Sequence, residues 1–148
     1  MTLTPTTLFR HTLMTAALAW AAAAPLAAMA DSASFTATLS GAAEVPANSS
    51  AGTGTLEATL DTSNNQLTWK LTYSGLTGPA TMAHFHGPAM PGANAGVALP
   101  FPSAASPVAG KATLTPAQVA DLMAGKWYAN VHTAANPGGE IRGQLMVK

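Results

Sequence analysis

The sequence predicts an all-β protein, an antiparallel, Greek-key, immunoglobulin-like β-sandwich with one short helix. Three observations predict it. Apolar and polar residues alternate with period two in about seven short runs, and clusters rich in Gly, Pro, Asn and Asp separate those runs. A helical period occurs once, late in the chain.

Residues 1–30 are set aside before any strand is assigned. Arg10 and His11 close a short leading region, residues 12–26 are rich in Ala and Leu, and Ala28-Met29-Ala30 supplies a small-x-small cleavage site. Pro25 interrupts the apolar run, which is shorter than the ~20 residues a spanning helix requires. We read 1–30 as a secretory signal peptide and 31–148 as a single mature domain, periplasmic or secreted, with no membrane association after cleavage. Lys70, Lys111, Lys126, Arg142 and Lys148 stand against Asp31, Glu44, Glu57, Asp61, Asp121 and Glu140 in that domain, so it is close to neutral. Such a balance argues against nucleic acid as a partner. Cysteine is absent, which excludes a disulfide framework, a thiolate nucleophile and thiolate metal ligands.

The elements follow in order. Residues 35–39 alternate apolar residues with Thr and end at Ser40-Gly41, predicting a first strand. Residues 47–52 are a polar loop. In 53–60, Leu56, Ala58 and Leu60 face the core. The Asp61-Thr62-Ser63-Asn64-Asn65 turn then returns the chain along 66–73, with Leu67, Trp69, Leu71 and Tyr73 inside. Glu57 and Lys70 are expected to pair across these two strands. Residues 80–86 form a strand with Met82, His84 and His86 on one face and Thr81, Ala83 and Phe85 on the other. Residues 87–107 carry five prolines and predict a long loop with a short edge strand at 96–99. Residues 108–113 are a further strand, weakened by Gly110. Thr115 as N-cap, Pro116 at the first helical position, Gln118 closing a capping box and Gly125 as the stop predict a helix over 116–124, its stripe being Val119, Leu122 and Met123.

The chain is organised around its last stretch, WYANVHTAANPGGEIRGQLMVK. Trp127, Ala129, Val131 and Thr133 share one strand face, while Tyr128, Asn130 and His132 share the other, polar one. Asn136-Pro137-Gly138-Gly139 is a turn, after which Ile141, Leu145 and Val147 face inward and Glu140, Arg142, Gln144 and Met146 outward. Gly143 takes an inward position, as expected where a neighbour packs close. Glu140 and Arg142 are expected to make surface ion pairs.

Residues 128–133 and 136–145 together resemble the signature of the CHRD domain, the family named for chordin, whose members also occur as free-standing exported bacterial proteins. Phe35-Thr36-Ala37-Thr38-Leu39-Ser40-Gly41 with Glu44-Val45-Pro46, and Ala83-His84-Phe85-His86-Gly87-Pro88-Ala89, sit where the family's other recurrent pieces would be. The resemblance covers 34–148, and it implies a protein-interaction or matrix module with a protein partner.

Three histidines carry the chemistry. His84 and His86, two apart on a strand, project to the same side roughly 7 Å apart, close enough for both to lean toward one ion. His132 completes the set from the polar face of another strand. Imidazoles suit Cu, Zn, Ni or Fe, and in an exported chain without Cys the choice leans to copper, with Met82 or Met90 as soft ligands and Glu140 as a further candidate. The competing reading is bland: His84 and His86 decorate a strand surface or hydrogen-bond the Pro/Gly loop, and His132 caps a backbone carbonyl. No Ser/His/Asp set or nucleotide loop is present, so enzymatic turnover ranks last. The expected function is that of an exported CHRD-like binding protein with a tri-His copper site at His84, His86 and His132. The alternative is an interaction or matrix module without metal.

Overall fold

A computed structural model describes residues 31–148; the expected signal peptide, 1–30, lies outside the described residues. The elements are β1 (Ser32–Ser40), a 3-10 turn (Gly41–Ala43), β2 (Thr53–Asp61), β3 (Gln66–Ser74), β4 (Ala80–His86), β5 (Val97–Pro100), β6 (Val108–Thr113), α1 (Pro116–Met123), β7 (Tyr128–Thr133), β8 (Ile141–Gln144) and β9 (Met146–Val147). The class is all-β, antiparallel, with one short helix, as expected. The hydrogen-bonded path is β5-β4-β7-β8-β1-β2-β3-β6, with β9 added beside β1.

Two halves face each other along that path. β1, β2 and β3 pair over their full lengths, from Ser32↔Asp61 to Ser40↔Thr53 and from Thr53↔Ser74 to Asp61↔Gln66, and the turn that sets the second register is built tightly. Asp61 accepts hydrogen bonds from the Ser63 amide and hydroxyl and from the Asn64 side chain, and Asn65 takes a left-handed φ of 58°. The second half, β5-β4-β7-β8, meets β1 through a single register pair, Ser40↔Arg142. The sheet therefore curls on itself there and encloses the core. Phe35, Leu39, Leu56, Leu60, Leu67 and Leu71 from one half meet Phe85, Val131, Ile141 and Leu145 from the other, all without exposed surface. Trp69 bridges them edge-on to Phe85, with ring centroids 5.3 Å apart.

The helix is capped as expected: the Gln118 amide donates to the Thr115 hydroxyl, and the Thr115 amide donates to the Gln118 side chain. Its apolar stripe is narrower than the sequence suggests, since Leu122 is buried, Val119 half-buried and Met123 exposed. The terminal strand divides into β8 and β9. Leu145 buries its side chain and bonds its amide to the Trp127 carbonyl, after which Met146 and Val147 cross to pair with Thr36 and Phe35 of β1. Val147, expected inside, is consequently exposed.

Candidate metal centre

β4 and β7 run antiparallel with Met82 opposite His132, His84 opposite Asn130 and His86 opposite Tyr128. Six side chains thus share the outer face of two adjacent strands, which fixes three imidazoles within one small area. One ring nitrogen from each of His84, His86 and His132 lies within 4.8 Å of the other two. His84 Nδ1 and His132 Nε2 are 3.2 Å apart. Two nitrogens bound to one ion at 2.0–2.1 Å would stand roughly 3.3–3.6 Å apart in tetrahedral or trigonal geometry. The first pair stands just inside that spacing, and the His86 nitrogen lies within 4.8 Å of both.

The other ring nitrogens set the tautomers. His132 Nδ1 donates to the Pro137 carbonyl at 2.9 Å, so its Nε2 presents a lone pair. His86 Nδ1 donates to the Ala95 carbonyl at 3.0 Å, and its Nε2 is buried without a partner. An N–H held by a backbone carbonyl on the far side of the ring is the usual support of a metal-ligating histidine. Both hydrogen bonds of the bland reading are therefore present, yet each occupies only Nδ1 and leaves Nε2 of His86 and of His132 as an acceptor. His84 Nδ1 donates to His132 Nε2 when no ion is bound, and it turns acceptor by moving its proton to Nε2. Burial lowers the pKa of His84 below 6.5, helped by repulsion from His132 and His86. Burial likewise lowers that of His86 against the opposing pull of its Ala95 bond, with His132 and Arg142 adding repulsion. Both rings are held neutral, the state a ligand needs.

The remaining candidates fall elsewhere. Glu140 belongs to neither the surface nor the histidine cluster: it is fully buried, and its carboxylate accepts from Ser50, Thr77 and Thr133. Met82 is exposed beside His132, and Met90 is exposed in the 87–96 loop. The expected surface pairing of Arg142 is also corrected, since Arg142 and Glu44 form a buried ion pair at 3.1 Å. Glu57 lies opposite Lys70 in register but binds Lys148 at 2.8 Å instead.

The polar face of β7 is not wet at all, because Tyr128, Asn130 and His132 are each buried. Arg142 stacks over the Tyr128 ring at 4.0 Å, and Tyr128 stacks on His86 with ring planes 1° apart. Glu44 accepts from both Arg142 and Asn130; burial raises its pKa, while the Arg142 charge and hydrogen bond pull it down. Residue parity places Tyr128 and Asn130 on one face with His132, as the sequence predicts. Nothing local in the sequence announces Glu44 or the 87–96 loop as their cover.

A curled antiparallel sheet with a tri-imidazole cluster across two adjacent strands defines a small all-β domain. The CHRD domain family model matches residues 35–145, and the chain belongs to the CHRD domain family. No curated protein and no solved structure matches it. Among the described residues no helix is long and apolar enough to cross a membrane.

Proposed function

We propose that this CHRD domain is an exported binding module that holds one copper ion on His84, His86 and His132, without turnover. The observation that carries the reading is the convergence of the rings: one nitrogen from each histidine lies within 4.8 Å of the other two, while Nδ1 of His86 and Nδ1 of His132 are each tied to a backbone carbonyl. Three imidazoles without a carboxylate suit copper, and a soft thioether from Met82 lies on the same face for the reduced ion. Copper titration tests it. Wild type is expected to bind one ion, and His84→Ala to lose the site; equal binding by the two proteins refutes the assignment.

One observation favours a second reading. The 3.2 Å contact between His84 and His132 is satisfied as a hydrogen bond without any ion, so the cluster is stable in a metal-free interaction module of the kind the family implies. Elemental analysis of protein purified from its native compartment separates the two.

A further inference from the structure

The three imidazoles are not supported equally. His132 is held by its own turn, through Pro137, whereas His86 depends on the carbonyl of Ala95, which lies in the long loop between β4 and β5. A carbonyl in such a loop fixes a ring only if something fixes the loop. Tyr128 does so directly: its hydroxyl accepts from the Ala95 amide at 3.1 Å and donates to the Ala95 carbonyl at 3.3 Å. Its ring meanwhile lies flat on His86, with centroids 4.9 Å apart. Arg142 fastens the preceding residues, donating to the Ala93 carbonyl at 3.1 Å and to the Asn94 side chain at 2.6 Å. The same guanidinium covers the Tyr128 ring and is anchored by buried Glu44.

We infer that Tyr128, backed by Arg142, is a positioning residue that holds His86 in the Nδ1–H tautomer, which leaves its buried Nε2 as an unpartnered lone pair. The physical basis is the coupling of two contacts on one peptide unit. Tyr128 fixes both polar groups of Ala95, and the Ala95 carbonyl in turn decides which nitrogen of His86 carries the proton. The aromatic stack fixes the ring plane, so neither rotation nor tautomer exchange is free. For its purpose this inference rests on the tri-His reading, but its structural content does not require an ion.

The test uses Tyr128→Phe, which keeps the stack and removes only the hydroxyl. Long-range ¹H–¹⁵N correlation spectra of the metal-free protein read the His86 tautomer directly. Wild type is expected to show a protonated Nδ1 and an acceptor Nε2, and the variant a mixture of both tautomers with an unchanged fold by amide chemical shifts. In a copper titration the same variant is expected to bind about tenfold more weakly. Identical His86 nitrogen shifts in wild type and Tyr128→Phe overturn the inference, whatever copper does. A wild type with the Nδ1–H tautomer that binds no copper overturns the proposed function and leaves the positioning role standing. Arg142→Lys keeps the charge beside Glu44 but loses the fork to Ala93 and Asn94, and it supplies the same readout if Tyr128→Phe does not fold.

Discussion

The Glu140 carboxylate has no exposed surface and accepts four hydrogen bonds, from the Ser50 hydroxyl, the Thr77 amide and hydroxyl, and the Thr133 hydroxyl. Burial acts to raise its pKa, and these donors from Ser50, Thr133 and Thr77 outweigh it, bringing the value down from 4.5 to about 2. Because the folded value lies below the unfolded one, the stabilisation is complete above pH 4.5. It drains away as the pH falls toward 2, since the unfolded chain takes up the proton first. Glu140→Gln turns an acceptor oxygen into a donor facing other donors, which costs about 2–3 kcal/mol at neutral pH. Urea unfolding at a series of pH values should show the gap between the two proteins narrowing on acidification through that window; a constant gap would disprove the assignment. Alternation along the last strand correctly put Glu140 on the face away from the core. What alternation could not show is that residues 48–50 and the chain near Thr77 fold over that face, since those contacts join positions about 60 to 90 residues apart.

Single elements were legible where the signal is local. The β2–β3 hairpin follows from its Asx-type turn, the helix from its capping box, and the edge strand from a short apolar run between prolines, displaced by one residue to Val97–Pro100. By propensity the glycine inside β6 is a weakness, but Gly110 is a fitting: a Cβ there would lie 2.3 Å from Trp69 Cζ2. Gly143 of β8 is held more severely, since its Cβ would lie 2.5 Å from the backbone carbonyl oxygen of Thr38. Side chains yield more readily than backbone, so the two alanine variants should differ. Gly143→Ala is expected to cost about 3 kcal/mol and to loosen the β1–β8 seam, and Gly110→Ala about 1–2 kcal/mol as Trp69 shifts. Denaturant midpoints rank them, and a neutral Gly143→Ala would mean that the seam is not closely packed in solution.

At the scale of the whole molecule, the curl that closes the core also assembles the polar site. β1 and β8 meet at Ser40↔Arg142, the 3-10 turn that follows β1 delivers Glu44, and Arg142 passes the constraint through Tyr128 to His86. The three histidines were within reach of sequence reasoning because residue parity and one strand pairing suffice to gather them. The carbonyls behind two of them, Pro137 and Ala95, lie only five and nine residues from His132 and His86, but Glu44 and Arg142, which fix the loop that carries Ala95, are joined only when the sheet closes. An ion bound across β4 and β7 therefore ties together strands that the unfolded chain holds apart, and binding must raise stability by mass action. At free copper one hundredfold above the dissociation constant, the gain is about 2.7 kcal/mol, which for a domain of this size corresponds to a melting point higher by roughly 10 °C. Thermal unfolding followed by circular dichroism, with and without copper, should show that rise in wild type and none in His132→Ala, whose two remaining imidazoles share a single strand. A rise of equal size in both proteins would place the ion elsewhere on the molecule, because losing one of three ligands must weaken binding and with it the stabilisation.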